Sequence, residues 1–205
     1  MPKLICRLIH MNRGVFYIND KQFNTYMNFQ DELIISSRNK DYIVHYGKCS
    51  IDMIYNKNDI IIIDTNVYNI MDKAQFVNKS VYMFIATEIN KNITSVLNII
   101  DYMFELKLTK NNKLIIIGGG ITQEVGGFAS AIYKRGIKWI YIPTTVLAMT
   151  DSCIGSKVSL NHTSKNILGL MEAPDDVYID DTYIMTLSKN GIISGLGEAL
   201  KLSLI

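Results

Sequence analysis

The chain has 205 residues, 48% of them hydrophobic and 20% charged, with a formal net charge of +2. That is ordinary globular composition, enough for one large domain or one and a half. It excludes a basic block for nucleic acid or an anionic membrane surface, and no apolar run approaches the roughly 18 residues that span a bilayer. Cys6, Cys49 and Cys153 are odd in number and far apart. They match neither a disulfide framework nor metal-site spacing, so a reducing compartment, by default the cytoplasm, is expected. Arg7 and His10 interrupt the start of the chain, which lacks the apolar core of a signal peptide.

In chain order, Leu4 to Ile9 and Gly14 to Ile18 read as short strands able to pair as a hairpin, and Tyr42 to Tyr46 as another strand. The four isoleucines between Asp59 and Asp64 mark a parallel strand buried on both faces. Asp64-Thr-Asn-Val67 follows at its carboxyl end, where open α/β sheets bind ligands. Val81 to Ala86 is a further strand. Asn92 to Leu106 has helical periodicity, with Ile93, Val96, Leu97, Ile100, Met103 and Phe104 on one stripe.

The stretch from Leu114 to Tyr133 organises the rest. Leu114 to Ile117 is wholly apolar and reads as a buried strand. Gly118, Gly119 and Gly120 then allow a sharp turn and close approach of a ligand to the backbone. A helix follows, with Thr122 as its expected N-cap and a small face of Gly126, Gly127, Ala129, Ser130 and Ala131. A strand, a glycine turn and a helix N-terminus together make an anion site. The spacing is not G-x-G-x-x-G, and such glycines also simply close βα units, so from these residues alone both readings stand.

Gly136 is expected to end that helix, and Trp139 to Ile142 is a strand stopped by Pro143. Thr144 to Gly155 reads as a polar loop or short helix. Lys157 to Leu160 and Ile167 to Leu170 flank Asn161 to Asn166 as a hairpin, and Val177 to Asp180 is a late strand. From Ser188 a helical pattern carries Ile192, Ile193, Leu196, Ala199, Leu200 and Leu204 to the last residue without a stop signal. The fold expected is α/β: a Rossmann-like, doubly wound, mainly parallel sheet over residues 1–187, followed at 188–205 by the first helix of an incomplete all-α domain.

Several polar groups fall after strands, each with a bland reading. Glu88 and Lys91, at i and i+3, fit an exposed pair on a helix start. Thr144 and Thr145 fit loop chemistry. Asp151, Lys157, Lys165 and Asn166 fit a solvated loop, and Glu198 with Lys201 an exposed helix pair.

Their order says more than any one of them. The pieces Gly118-Gly-Gly-Ile-Thr-Gln-Glu124, Gly127-Phe-Ala with Tyr133-Lys-Arg-Gly136, Pro143-Thr-Thr145, Asp151-Ser-Cys-Ile-Gly-Ser-Lys157, Asn161 to Asn166 and Gly195-Leu-Gly-Glu-Ala-Leu-Lys201 stand at near-family spacing. Over roughly residues 42 to 205 the chain resembles the sugar phosphate cyclase family, most closely its 3-dehydroquinate synthase branch. The resemblance implies a carbon–oxygen lyase of aromatic amino acid biosynthesis. Such an enzyme takes NAD, a divalent metal (zinc or cobalt) and a phosphorylated sugar. It oxidises a hydroxyl, eliminates phosphate, returns the hydride and closes a carbocycle. It would be cytoplasmic, a possible homodimer, with no nucleic acid or membrane partner.

By the same resemblance, Asp64, Asn66, Glu88 and Lys91 hold the adenosine side of NAD, and Gly119 and Gly120 its pyrophosphate. Glu124, Thr144, Thr145, Lys157, Lys165, Tyr183 and Thr186 also line the cofactor. Substrate contacts fall to Arg135, Asp151, Lys157, Asn166 and Lys201, and one metal ligand to Glu198. The resemblance implies two metal histidines in the helical domain beyond Ile205; His10 and His45 belong to the early strands, and His162 matches no family ligand. There are departures from the family pattern. Glu124 stands for an aspartate, Gln123 for a small residue, and Gly155-Ser-Lys-Val158 for Gly-Gly-Lys-Thr. The Asn161 to Lys165 loop is one residue short. A metal-dependent polyol dehydrogenase and a non-catalytic NAD-binding remnant are the alternative readings.

Overall fold

The structure, a computed structural model, describes residues 17–18, 21–22, 32–37 and 40–204. The strand expected at Leu4 to Ile9 lies outside the described residues. Of Gly14 to Ile18 only the end is described: Tyr17–Ile18 (β1) pairs antiparallel with Lys21–Gln22 (β2). The remaining strands are β3 (Glu32–Ile35), β4 (Tyr42–Tyr46), β5 (Ile60–Asp64), β6 (Ser80–Phe84), β7 (Lys113–Gly118), β8 (Lys138–Pro143), β9 (Val158–Leu160), β10 (Leu168–Leu170) and β11 (Asp176–Ile179). The α-helices are α1 (Ile51–Ile54), α2 (Thr65–Ile70), α3 (Ile93–Glu105), α4 (Gly120–Ile132), α5 (Val146–Thr150) and α6 (Lys189–Leu204).

Seven strands form one sheet in the order β3-β4-β11-β8-β7-β5-β6, and β9 and β10 form the expected hairpin. Only β3 runs antiparallel to its neighbour in that sheet, so it is mainly parallel and of the expected α/β class. Ile60 to Ile63 and Leu114 to Ile117 are completely buried, because helices cover both faces of a parallel sheet. From β5 the chain steps outward to β6, then back across β5 to β7. The reversal makes a switch point at the carboxyl ends of β5 and β7.

Local chemistry sets the helix starts. The Asn92 side chain accepts the Ser95 N–H at 2.9 Å and so caps α3. The α3 stripe is narrower than its periodicity implied. Val96, Ile99 and Met103 are buried, whereas Leu97 and Phe104 are 49% and 72% exposed. α3 packs on α4. The small residues of α4 are demanded by its contact with the strands. A Cβ at Gly126 would come within 2.7 Å of Ile116 Cδ1, and one at Gly127 within 2.8 Å of Val158 Cγ1.

Helix α4 begins inside the glycine run: its N-cap is Gly119, not Thr122, and no side chain caps it. β7 ends at Gly118, so the chain turns over a single residue. Thr122 is instead buried in the first turn, its Oγ1 only 2.5 Å from where a Gly118 Cβ would stand. The helix ends at Ile132. Gly136, at φ +99°, closes the 3₁₀ turn Tyr133–Arg135 that follows. At the far end of the chain α6 packs on α5 through Gly195, with Ala199 buried, while Ile193 and Leu200 remain exposed.

Candidate functional site: the carboxyl edge of the sheet

Strand register assembles the site. Asp64 is level with Phe84 across β5 and β6, and Gly118 with Pro143 across β7 and β8. The Thr144 N–H donates to Gly118 O at 2.9 Å, so the paired threonines lie beside the glycine turn. Thr145 caps α5, its Oγ1 accepting the Ala148 N–H at 3.2 Å. A Cβ at Gly119 would come within 3.1 Å of Thr145 Cγ2, so that cradle fits glycine alone without adjustment.

Asp64 caps α2 by accepting the Asn66 N–H at 2.9 Å. Partial burial raises its carboxyl pKa, against the lowering effect of the Asn66 hydrogen bonds. Tyr183 and Thr186 lie in the 3₁₀ turn Asp181–Thr186. The buried Tyr183 hydroxyl reaches Met71 Sδ at 3.7 Å, which sets that turn against the end of α2. Burial, followed by the charge of Asp180, raises the Tyr183 pKa.

Glu88 and Lys91 do not form the surface pair that their spacing fits. Glu88 opens a short 3₁₀ turn, Glu88–Asn90. Its carboxylate accepts the Asn161 amide at 3.1 Å and faces Lys165 at 3.5 Å. The Asn161 hydrogen bond is the largest cause of its lowered pKa, assisted by the charges of Lys165 and Lys91. Lys91 is only 3% exposed. Its ammonium lies 2.5 Å from Glu124 Oε2 and 2.5 Å from Asn166 Oδ1. Glu124 Oε1 accepts the Ser159 hydroxyl at 2.6 Å. One cation thus joins the β6–α3 segment, helix α4 and the β9–β10 hairpin.

Under the glycine turn lie polar atoms with no hydrogen-bond partner among the described residues: Thr122 Oγ1, Gln123 Oε1 and Ser152 Oγ, all buried. The other end of the Gln123 amide donates to Ser152 O at 2.8 Å. Ser152 Oγ would be 3.7 Å from a Gly120 Cβ. An uncapped helix N-terminus, a cradle a Cβ would fill and the orphaned Thr122 and Ser152 hydroxyls, which can donate, fit an anionic group such as a dinucleotide pyrophosphate; Gln123 Oε1, an acceptor, does not add to that fit.

Asp151 follows α5, and its charge is one cause of a raised Lys201 pKa, after the 2.9 Å hydrogen bond and the charge of Glu198. Glu198 and Lys201 do form the exposed i, i+3 pair. Among the described residues no three or more His, Cys, Asp or Glu side chains converge as a metal site. Glu198 alone does not fit the shell of about three protein ligands that a catalytic zinc takes.

Arg135 is not brought to this cluster. It follows α4 and precedes the start of β8, which places it at the amino edge, beside a cleft of about 270 Å³ lined by Lys40, Gly136, Ile137 and Lys138. Lys157 is exposed after the 3₁₀ turn Ser152–Ile154, its stem packed by Gly155. Sequence reasoning missed Ser152 and Ser159 entirely and gave Gln123 no role. A glutamine within a small-faced helix, and a serine between Val158 and Leu160 in a strand, were the available signals.

The family model described as "3-dehydroquinate synthase N-terminal" matches residues 81–194. A 3-dehydroquinate synthase of Pelagibacter ubique is 42% identical over 127 residues, 62% of this chain and 34% of that protein. One of Helicobacter pylori is 32% identical over 177 residues, 84% of this chain and 52% of that protein. This chain thus spans between about a third and about half of the length of these curated relatives. Among solved structures, the 2-epi-5-epi-valiolone synthase ValA of Streptomyces hygroscopicus, with NAD+ and Zn2+ bound, aligns at a TM-score of 0.63 and 26% identity. The alignment covers 68% of this chain and 41% of ValA. No helix among the described residues is long and apolar enough to cross a membrane. With the family model matching more than half of its residues, the chain belongs to the 3-dehydroquinate synthase N-terminal family.

Proposed function

We propose that this chain forms the NAD-binding part of a 3-dehydroquinate synthase-like sugar phosphate cyclase, which eliminates phosphate from a phosphorylated sugar and closes a carbocycle. One observation carries the reading. Asp64, the Glu88–Lys91 turn, the glycine turn with Glu124, and Thr144 converge on a single switch point, around buried polar atoms that lack partners. The relatives' names and the NAD+ in ValA point the same way.

In this reading Asp64, Asn66 and Glu88 face the adenosine side of NAD. The N–H groups of Gly119 and Gly120 meet the pyrophosphate, and Thr144, Thr145, Lys165, Tyr183 and Thr186 complete the lining. NAD, when bound, supplies a hydride acceptor for a substrate hydroxyl and later returns the hydride. Lys157 and Lys201 are cations suited to a phosphorylated substrate, and Asn166 and Asp151 can orient its hydroxyls. Arg135, at the other edge, is left out of this set. Glu198 stays a lone metal-ligand candidate. The division at 187/188 belongs to the same proposal, with α6 the first element of a helical part.

The polyol dehydrogenase reading is weaker, because the Asp151-to-Lys157 and Lys165-Asn166 pieces follow the cyclase pattern. Calorimetry with NAD on the chain and on Gly120→Val tests the reading. The new Cβ itself would stand 3.7 Å from Ser152 Oγ, ordinary contact, and circular dichroism checks that the variant folds before the affinities are compared. Expected is NAD binding that the substitution weakens about tenfold or more, as for a backbone that must approach a pyrophosphate. Equal affinity in the two proteins would remove the glycine turn from the cofactor site.

A further inference from the structure

We propose that Gln123 is a positioning residue: its amide ties the glycine turn to the Asp151-to-Lys157 segment, so that a ligand held at the turn also steadies Lys157. The inference rests on the proposed reading for what the turn and Lys157 bind. Gln123 stands where the family pattern has a small residue, which could not make this reach. It lies in the first turn of α4, and its N–H donates to Gly119 O at 3.1 Å, so it moves with the start of that helix. Gln123 is 1% exposed, and its Nε2 donates to Ser152 O at 2.8 Å, 29 residues further along the chain. A carbonyl only accepts, so the NH2 end of the amide must face it. Oε1 is then left buried with no partner among the described residues. For packing alone an apolar side chain of that size would serve better, since an orphaned buried oxygen costs stability. What the amide adds is the bond to Ser152.

Ser152 is placed to pass that constraint on. It opens the 3₁₀ turn Ser152–Ile154, and its carbonyl also accepts the Gly155 N–H at 3.3 Å. The Ile154 N–H donates to Asp151 O at 3.0 Å. Ser152 Oγ lies 3.7 Å from where a Gly120 Cβ would stand, so the segment rests against a residue whose N–H meets the pyrophosphate in the proposed reading. Further on, a Gly155 Cβ would stand 3.3 Å from Lys157 Cε, so the Lys157 stem lies over the same turn. Ser156, between them, is 8% exposed at φ +47°, a left-handed conformation that its surroundings must hold. Other ties of this turn run elsewhere. The Tyr42 hydroxyl donates to Cys153 O at 3.4 Å, and Cys153 Sγ donates to Met149 O at 3.4 Å. Those bonds fix the turn to β4 and α5, whereas Gln123 fixes it to the glycine helix.

Hydrogen exchange of the Ile154 and Gly155 amides, with and without NAD, tests the link alongside NAD calorimetry. In the parent chain, saturating NAD should slow both amides about fivefold or more, the lower end of ordinary coupling between sites. Gln123→Met keeps the length of the side chain and removes the donor. Without NAD it should speed both amides about threefold or more, as loss of one neutral hydrogen bond implies. With NAD the slowing should vanish, while NAD affinity falls by no more than the slowing that is lost, because coupling is reciprocal. Gln123→Ala, which installs the small residue of the family pattern, should lose the slowing equally, and it keeps the proposal falsifiable if Gln123→Met fails to fold. Equal slowing by NAD in the parent and in Gln123→Met would overturn the proposal. So would slowing kept in Gln123→Met and lost in Gln123→Ala, which would make volume rather than the hydrogen bond the cause. A loss of NAD affinity far beyond the lost slowing would make Gln123 a direct cofactor contact and overturn it too. A parent that binds NAD without slowing either amide sinks the coupling and leaves the cofactor reading intact. A parent that binds no NAD sinks the cofactor reading and the coupling with it, while faster exchange in Gln123→Met would still uphold the tether to Ser152.

Discussion

Two lysine–carboxylate pairs sit at opposite edges of the same sheet. At the amino edge Asp59, just before β5 and 1% exposed, pairs with Lys113 at 2.6 Å. The same carboxylate accepts the Lys113 N–H at 3.0 Å and the Asn56 N–H at 2.8 Å. At the carboxyl edge Lys91 pairs with Glu124 at 2.5 Å. The first pair ties the starts of two neighbouring strands, and every bond it makes is to the scaffold. The second joins three segments distant in sequence, beside buried polar atoms left without partners. Burial and ion pairing are common to both, so neither marks a site. What distinguishes the carboxyl-edge pair is the buried polar atoms beside it that no described residue satisfies.

That contrast predicts different losses. Asp59→Ala should be the most damaging substitution named here. It strands a lysine and two N–H groups, for a destabilisation of about 3 kcal/mol or more by the cost of breaking a buried pair. Urea unfolding measures it, and NAD affinity of the remaining folded protein should be unchanged. A loss below about 1 kcal/mol would mean that solvent reaches Lys113 and replaces its partner. Next comes Gly127→Ala. Its Cβ would meet Val158 Cγ1 at 2.8 Å and Trp139 Cη2 at 3.1 Å, where overpacking costs about 1–3 kcal/mol. Because Val158 opens β9, this substitution should also disturb the hairpin whose loop carries Asn166. A neutral Gly127→Ala would show that the hairpin moves away freely.

The sheet was legible in the sequence because fully buried strands such as Ile60 to Ile63 leave a run no solvated segment would carry. The hairpin and the glycine turn were legible for their punctuation. The start of α4 was not, since Thr122 has the right chemistry for a cap and only the one-residue turn after β7 moves the helix start to Gly119. The α3 stripe was drawn too wide, because periodicity records which residues share a face and not how much of it a neighbour covers. The site itself was legible only through resemblance. Glu88 and Lys91 fit one another at i, i+3, and nothing local could tell that their partners lie 33 or more residues away, at Glu124, Asn161 and Lys165. Arg135 shows the reverse: it stands in one of the pieces that carry the resemblance, but a helix that starts at one edge of a sheet delivers its end to the other.

Lys157 gives a weaker effect on stability and a stronger one on function. It is exposed, so Lys157→Met should shift unfolding by less than about 0.5 kcal/mol, as surface changes do. In an enzyme that turns over substrate, the same change should lower kcat/KM by about tenfold to a thousandfold if the ammonium meets a substrate anion. Undiminished kcat/KM would return Lys157 to the solvated loop and leave Lys201 as the nearer cation.

The smallest expected effect is at Asp64, and it turns on sign. Burial raises its carboxyl pKa in the folded chain, more than the Asn66 hydrogen bonds lower it. The folded state therefore binds that proton more tightly than the unfolded state. Its contribution to stability is present at pH values below the ordinary carboxylate range and lost as the pH rises through the raised folded value. This runs opposite to a salt-bridged carboxylate. Partial exposure screens the group, so the change should stay below about 0.5 kcal/mol. Asp64→Asn keeps an oxygen for the Asn66 N–H and cannot ionise. Stability measured from about pH 4 to 7 should therefore fall less with rising pH in the variant than in the parent, if burial is the dominant cause. A variant that instead loses stability relative to its parent as the pH rises would mean that the ionised carboxylate is stabilised by its cap, and that burial at this carboxyl end is too slight to favour a neutral partner.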